Sequence, residues 1–214
     1  QLHRHSGEVS VRFSGDKGAL SFARYYSVGA LPGTIRVSDV NLDGILDLIM
    51  PTPDGGAIEV LLMAGNGRVA SRSLVAPGSQ AWGATLSDAT RDGILDLIYT
   101  DYARARVVLL PGTGTGAFGV ALGEWVVGAK PQGVVARDFN HDGLLDIAVA
   151  ATVANTLDAL QGVASGGFTR RTIAAGRPLN VLSAVDMNAD GWLDIAAASS
   201  STNVVVLFRG SSSG

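Results

Sequence analysis

A nine-residue aspartate pattern recurs four times along the chain and constrains its fold more than any other feature. The four copies are DVNLDGILD at 39–47, DATRDGILD at 88–96, DFNHDGLLD at 138–146 and DMNADGWLD at 186–194. Their first aspartates lie 49, 50 and 48 residues apart, so the chain repeats one unit. A fixed period of this length is typical of repeat architectures, in which each unit buries its apolar face against its neighbours.

Four extended runs accompany each aspartate segment. The first run is LDLIM, LDLIYT, LDIAVAA or LDIAAAS, and the second is AIEVLLM, RVVLL, NTLDAL or NVVVLF. A glycine-rich turn, a stretch such as GEWVVGA and a last run such as GVVARD complete the unit. Helical periodicity is absent across whole units, and turn signals recur about every ten residues. The pattern predicts an all-β chain, with residues 1–214 forming a single β-propeller domain of four four-stranded blades.

The two ends of the chain leave two ways of arranging the ring. Residues 8–30 match the second half of a unit, and the C-terminal DGWLDIAAASSSTNVVVLFRG supplies three runs. Strands from the two ends can complete one blade and close a four-bladed ring, or the chain forms part of a larger propeller. The chain begins with Gln1, which indicates a processed mature protein or a trimmed chain.

The spacing of side-chain oxygens within each segment favours a hard divalent cation. Calcium takes six to eight oxygen ligands and tolerates irregular geometry, whereas magnesium demands a compact octahedron. Zinc prefers nitrogen and sulfur ligands, and the chain has no Cys. Without a cation, adjacent carboxylates repel by about 4 kcal/mol per close pair at an effective dielectric near 20. Four copies in phase therefore predict up to four Ca²⁺ sites, although plain aspartate-capped turns are the alternative.

The predicted ligands are the side chains at the first, third, fifth and ninth loop positions and the backbone carbonyl at the seventh. In chain order they are Asp39, Asn41, Asp43, Ile45, Asp47, Asp88, Thr90, Asp92, Ile94, Asp96, Asp138, Asn140, Asp142, Leu144, Asp146, Asp186, Asn188, Asp190, Trp192 and Asp194. Thr90 replaces the asparagine of the other loops, which predicts that the second site binds calcium most weakly. His141, at the fourth position of the third loop, is expected to point to solvent and to bind no ion.

Motifs of other function classes do not support a catalytic or nucleic-acid-binding role. GTGAFG at 114–119 has the spacing of a dinucleotide loop but is followed by a hairpin-like segment, not a helix. Three His, two of them in the N-terminal HRH, leave little for acid–base catalysis. The densest basic stretch, around Arg104 and Arg106, is too small for nucleic acid. The net charge is -3, and no apolar run approaches a membrane span.

Two tryptophans are compatible with carbohydrate binding. Trp82 and Trp125 fall in or near predicted strands. Such side chains either stack on a sugar ring or fill the gap between blades, and the second role is the more frequent one.

These loops resemble the FG-GAP or VCBS-type repeats of integrin α-chain propellers and of many secreted bacterial proteins. Further pieces of that pattern are GAFG at 116–119 and GALPG at 29–33. The resemblance implies calcium-binding loops that join the first two strands of each blade, and propellers that commonly have seven blades. It also implies a non-catalytic binding or adhesion module, extracellular or attached to the cell envelope, whose partner is a glycan or an extracellular protein. The alternatives are an accessory or catalytic part of a secreted polysaccharide-active enzyme, and a self-assembling structural subunit.

Overall fold

Antiparallel meanders make up nearly all the regular structure of this computed structural model, which describes residues 2–3, 7–14, 20–29 and 32–211. Within these ranges, one short 3-10 turn, Pro53–Gly55, interrupts the strands. The described strands form five sheets, numbered here in chain order. Sheet 1 contains β1 (Leu2–His3), β2 (Glu8–Ser14) and β3 (Leu20–Ser27); sheet 2 contains β4 (Arg36–Ser38), β5 (Asp47–Thr52), β6 (Ala57–Met63) and β7 (Val69–Val75); sheet 3 contains β8 (Ala81–Ser87), β9 (Asp96–Asp101), β10 (Arg106–Leu110) and β11 (Gly123–Val126); sheet 4 contains β12 (Pro131–Arg137), β13 (Asp146–Ala151), β14 (Thr156–Gly162) and β15 (Phe168–Ala174); and sheet 5 contains β16 (Val181–Val185), β17 (Asp194–Ser199) and β18 (Val204–Phe208).

The prediction of an all-β propeller is confirmed by these sheets. Each aspartate segment leads into the second strand of a sheet, and the run before the segment is the first strand of the same sheet. The second strands β5, β9 and β13 are buried along their whole length. A strand covered on both faces needs apolar side chains at successive positions, which explains why these runs read as continuous apolar stretches.

Hydrophobic cores lie between successive sheets and hold the blades together. Sheets 1 and 2 share the cluster around Val9 and Met50, and sheets 2 and 3 share the cluster around Ile58 and Leu97. Equivalent clusters lie between sheets 3 and 4 and between sheets 4 and 5. The first strands β4, β8, β12 and β16 follow one another around the interior. This stacking confirms that each unit buries its faces against its neighbours.

Close approach of the first strands depends on glycine, most tightly at Gly83. A Cβ atom built on Gly83 of β8 would lie 1.9 Å from the carbonyl oxygen of Gln132 in β12. No side chain fits such a distance, because the neighbouring atom belongs to a backbone that the whole of sheet 4 holds in place. Gly83 therefore sets how closely sheets 3 and 4 pack.

The two terminal sheets do not join into one blade within the described residues. Strands β1–β3 form a sheet of their own that packs on sheet 2, and β16–β18 form a separate three-stranded sheet. Among the described strands no pairing links the two, so these strands do not form the four-bladed ring closed by exchange of end strands. The turn predicted within residues 8–30 falls on 15–19, outside the described residues, as do Ala30 and Leu31 of the GALPG piece and Gln1.

Candidate metal sites in the aspartate loops

All four aspartate loops adopt the same backbone conformation at the same place in their sheets. Each joins the first strand of a sheet to the second. The glycine at the sixth position has a φ between 81° and 89° in every loop. The residue at the fourth position also has a left-handed backbone, with φ between 58° and 63°, although it is never glycine. The four residues are Leu42, Arg91, His141 and Ala189. The sequence pattern identifies the glycine turn but not the left-handed fourth residue. A left-handed backbone at a residue other than glycine costs of order 1 kcal/mol or more and persists only where surrounding bonds enforce it.

The aspartate at the first position holds each loop in its curled form. In the first loop, Asp39 Oδ1 accepts a hydrogen bond from the Asp43 amide at 3.2 Å, and Oδ2 accepts one from the Gly44 amide at 2.8 Å. The other three loops repeat both bonds. The two left-handed residues turn successive N–H groups towards one carboxylate, which explains why the glycine must follow the fifth position.

The third and fifth positions bond to each other in three of the loops. Asn41 Nδ2 donates to Asp43 Oδ2 at 2.9 Å, and Asp43 Oδ1 accepts the amide of Ile45 at 2.8 Å. Loops three and four contain the same pair of bonds. In the second loop, Thr90 makes no described side-chain bond to Asp92, so this loop has fewer internal cross-links. That the second loop binds calcium most weakly stays a prediction.

The ninth-position aspartate ties its loop to the third strand of the sheet. Asp47 is fully buried, and its Oδ2 accepts the amide of Val40 at 3.1 Å while Oδ1 accepts the amide of Met63 at 2.9 Å. Asp96, Asp146 and Asp194 bond in the same way, to an amide at the start of their own loop and to the amide of the residue sixteen positions on. The sequence pattern predicts these residues only as ligands of an ion. The structure gives them a structural role, and their role as ligands stays a prediction.

In the first and third loops, the electrostatic environment of the ninth-position aspartate disfavours its negative charge. Burial raises the pKa of Asp47 above its ordinary value, two backbone amides act in the opposite direction, and the charges of Asp43 and Asp39 raise the pKa further. The pKa of Asp146 is raised by the same set of causes, with burial again the largest. A cation among these carboxylates would relieve both the burial cost and the mutual repulsion.

The donor set of each loop fits calcium in its chemistry. Every candidate donor is an oxygen, and a carboxylate oxygen that accepts one amide bond keeps a second lone pair for a cation. Across the described ranges, however, no group of three or more His, Cys, Asp or Glu side chains is arranged to hold a metal ion. Calcium also accepts amide and carbonyl oxygens, which the third and seventh positions supply. The calcium assignment therefore rests on the type and order of the donors.

Contacts between successive loops link them along one edge of the propeller. Arg91 of the second loop donates a hydrogen bond to the carbonyl of Gly143 in the third. His141 of the third loop stacks on Trp192 of the fourth, with ring centroids 4.7 Å apart and planes 22° apart. The fourth position thus reaches the neighbouring loop: His141 is exposed, as expected, and one face of its ring also packs on Trp192. Its left-handed backbone directs it there, a property that no local sequence signal reveals.

The two tryptophans singled out in the sequence have different surroundings. Trp125 of β11 contacts Phe168 of β15 edge to face, with centroids 4.8 Å apart, and so fills the gap between sheets 3 and 4. Trp82 of β8 contacts Tyr102 at 5.5 Å and lines a cavity at one end of the first strands. Trp125 is therefore used in packing.

Two buried acids between sheets escaped the sequence analysis. Glu59 accepts the amide of Gly29 at 2.9 Å and pairs with Arg72. Asp158, at the equivalent position of sheet 4, accepts the amide of Gly128 at 2.6 Å and pairs with Arg170 at 2.9 Å. Both acids lie twelve residues after a ninth-position aspartate, so the repeat places them at the same point of the fold. In the sequence, each of these acids stands within an otherwise apolar run, and this is the signal by which it could have been identified.

A family model described as FG-GAP-like repeat matches the chain twice, at residues 39–99 and 88–149. Each match begins at an aspartate loop and includes the next one. Together the two matches span 39–149, more than half of the 214 residues.

Solved structures show the same fold at low sequence identity. A catalytically inactive virginiamycin B lyase from Staphylococcus aureus, solved with quinupristin, matches with a TM-score of 0.58 and 14% identity, covering 96% of this chain and 64% of the lyase. A protein from Lactobacillus plantarum matches with a TM-score of 0.56 and 18% identity, covering 96% of this chain and 65% of that one. BBS1N in complex with ARL6DN matches with a TM-score of 0.55 and 14% identity, covering 95% of this chain and 64% of that one.

The chain therefore spans less than two thirds of the length of each of these structures. No curated protein matches the sequence. Among the described residues, no helix has the length and hydropathy of a membrane-spanning segment.

Proposed function

Because the chain belongs to the FG-GAP-like repeat family, we propose that it is a calcium-stabilised, non-catalytic binding module that acts outside the cytosol. The observation that carries the calcium part is the fourfold recurrence of one loop conformation. Each copy presents oxygen donors in the same order and has the same pair of left-handed residues. A set of unrelated polar turns would not share both features.

Calcium would act in these loops by compensating crowded negative charge. Three aspartates and a fourth polar side chain occur within nine residues of each loop, and the ninth carboxylate is buried. A site occupied at one hundred times its dissociation constant adds about 2.7 kcal/mol to the stability of the folded state. Four such sites would add about 11 kcal/mol, comparable with the stability of a whole domain of about 5–15 kcal/mol.

The calcium requirement supports the proposed location. Extracellular modules bind calcium with dissociation constants of about 10⁻⁴–10⁻³ M. Such sites fill only where calcium is millimolar, which is the case outside the cytosol. A dissociation constant in that range would suit function at the cell envelope or in the extracellular medium.

The loop edge is the proposed binding face for a glycan or an extracellular protein. Successive loops contact one another through Arg91 and through the stacked rings of His141 and Trp192. Leu42 and Leu46 add exposed apolar surface, at 62% and 60% exposure. A rigid scaffold that carries exposed loop side chains is the usual setting for recognition.

Calcium binding is tested by removing one carboxylate from every loop. A variant with four fifth-position changes, Asp43→Asn, Asp92→Asn, Asp142→Asn and Asp190→Asn, is compared with the wild type in calcium and in a chelator by thermal melting and by calorimetric titration. Asp54→Asn, at an exposed position outside the loops, is the matched control. We expect the wild type and the control to melt at lower temperature in chelator, and the fourfold variant to be insensitive to calcium. Equal melting of the wild type in both buffers, with no heat of calcium binding, would refute the proposal.

The recognition role has its own test. Binding to arrayed glycans and to immobilised extracellular proteins is measured in calcium and in chelator, with His141→Ala as the variant that disrupts the loop edge. Calcium-dependent binding that weakens in the variant supports the proposal. Binding that is indifferent to both calcium and the variant would place recognition elsewhere on the chain.

A second candidate function, self-assembly, is favoured by the exposed face of sheet 5. Val181, Val205 and Leu207 are 56%, 62% and 55% exposed. Leu157, the counterpart of Val205 in sheet 4, is 1% exposed because sheet 5 covers it. A second copy of the chain could cover sheet 5 as sheet 5 covers sheet 4.

Self-assembly is tested by sedimentation at several concentrations. Val205→Asp is compared with Val120→Asp, which changes a residue that is 87% exposed and lies outside that face. Self-association of the wild type that only Val205→Asp abolishes supports this function. A wild type that stays monomeric throughout would exclude it.

A further inference from the structure

A cavity of about 360 Å³ lies among the first strands of sheets 2 to 5, away from the core between any one pair of sheets. Its walls include Arg36 and Ser38 of β4, Thr85 of β8, Arg137 of β12 and Ser183 of β16. Four different sheets therefore contribute polar side chains to one space. A volume of this size accommodates a small ligand and excludes a folded partner.

The charges of this cavity are of one sign. Arg36 and Arg137 line it, and no Asp or Glu is among its lining residues. Neither arginine belongs to any of the ion pairs found in the described part of the chain. Both guanidinium groups carry five N–H donors and remain charged at any physiological pH.

The hydrogen bonds described for the two arginines use only a fraction of these donors. Arg36 Nη1 donates to the carbonyl of Ile35 at 3.2 Å, and Arg137 Nη1 donates to the carbonyl of Ala136 at 2.8 Å. Each bond goes to the carbonyl of the preceding residue in the chain and involves no carboxylate. The remaining donors are available to a ligand in the cavity.

The two guanidinium groups also repel each other. Burial lowers the pKa of Arg36, and the charge of Arg137 lowers it further. No acidic group offsets these two effects. Folding thus brings the half-buried Arg36 and the exposed Arg137 from separate sheets to one cavity, an arrangement that an anion between them would stabilise.

We propose that this central cavity binds a small oxyanion, sulfate-like or carboxylate-like, between Arg36 and Arg137. Guanidinium groups bind planar and tetrahedral oxyanions through paired N–H donors, and such charge-assisted bonds are about twice as strong as neutral ones. The hydroxyl groups of Ser38, Thr85 and Ser183 supply neutral donors around the same space. The polar residues of this cavity do not belong to the four loops, but Ser38 and Arg137 directly precede Asp39 and Asp138, so calcium is held constant in the test.

The proposal is tested by titration with sodium sulfate at constant calcium and constant ionic strength, with sodium chloride as the reference salt. A parallel titration with sodium glucuronate, against glucose, distinguishes a carboxylate ligand from a sulfate-type one. Arg36→Gln and Arg137→Gln remove the proposed contacts. Arg171→Gln makes the same charge change at an exposed position of β15 and is the matched control. Binding is read by calorimetry and by the shift of the melting temperature.

We expect a saturable response to at least one of the two anions in the wild type. Each cavity variant should weaken that binding at least tenfold, and Arg171→Gln should change it less than twofold. Arg36→Lys keeps the charge while losing the paired donors, so it should bind with intermediate affinity and serves if Arg36→Gln does not fold. No saturable response to either anion, or equal loss in the cavity variants and in Arg171→Gln, would overturn the proposal.

Discussion

Replacing the ninth-position aspartate of the first loop should destabilise the fold even when no calcium is present. Asp47 accepts two buried amide bonds, from Val40 at one end of its loop and from Met63 at the end of β6. The change Asp47→Ala leaves both N–H groups without their acceptor. An unsatisfied buried donor costs about 1–3 kcal/mol, so the two together cost about 2–6 kcal/mol.

One effect acts in the opposite direction and sets the lower end of this range. Burial and the neighbouring charges of Asp43 and Asp39 raise the pKa of Asp47, which means that the folded state already disfavours its anion. Alanine removes that unfavourable charge together with the bonds. Because the carboxylate is fully buried and both of its oxygens are engaged, we expect the loss of the two bonds to dominate, with a net cost of at least about 2 kcal/mol.

The assay is urea denaturation in chelator, followed by circular dichroism and converted to free energy through the midpoint and the slope. Asp43→Ala is the control within the same loop, because the bonds of this exposed residue are open to water. We expect Asp43→Ala to cost less than about 1 kcal/mol in chelator and to lose its calcium response. Equal destabilisation by the two variants in chelator would refute the structural role assigned to Asp47.

Three further predictions concern other parts of the fold. Burial raises the pKa of Tyr99 to about 12, and nearby acids add to this effect; the folded state therefore holds the phenolic proton more tightly than the unfolded state, whose Tyr ionises near pH 10. Stability should fall by up to about 3 kcal/mol as the pH rises from 10 to 12, and Tyr99→Phe should remove that part of an alkaline denaturation curve. Gly83→Ala should cost more than about 3 kcal/mol because its Cβ would meet the Gln132 carbonyl, whereas Gly65→Ala, whose Cβ would lie 3.7 Å from its nearest neighbour, should fold normally by circular dichroism. Thr90→Asn should raise the calcium affinity of the second loop in a calorimetric titration, and an unchanged affinity would show that the third position does not bind the ion.

The strands and the loops could be predicted because their signals are local. A continuous apolar run after each aspartate segment identifies β5, β9 and β13, since a strand buried on both faces must be apolar at every position. The glycine at the sixth position identifies the turn because its φ of 81° to 89° suits no other residue equally well. These features depend on neighbours within a few residues.

Other features could not be predicted because they join residues far apart in the chain. The stack of His141 on Trp192 unites two loops whose separation is set by how sheets 4 and 5 pack. The bond from Gly128 to Asp158 likewise joins successive sheets. Neither His141 nor Asp158 carries a local signal that identifies its distant partner.

What the sequence by itself determined was the repeat: its period, its four strands and the oxygen-rich loop between the first two of them. A repeated segment carries its own turn chemistry and apolar pattern, so every copy folds alike wherever it stands. Only the tertiary structure decided that the terminal strands form separate sheets, and that Arg36 and Arg137 face one cavity. The physical reason is that the packing of sheets around an axis is set by the summed contacts of whole faces, which no single stretch of the chain encodes.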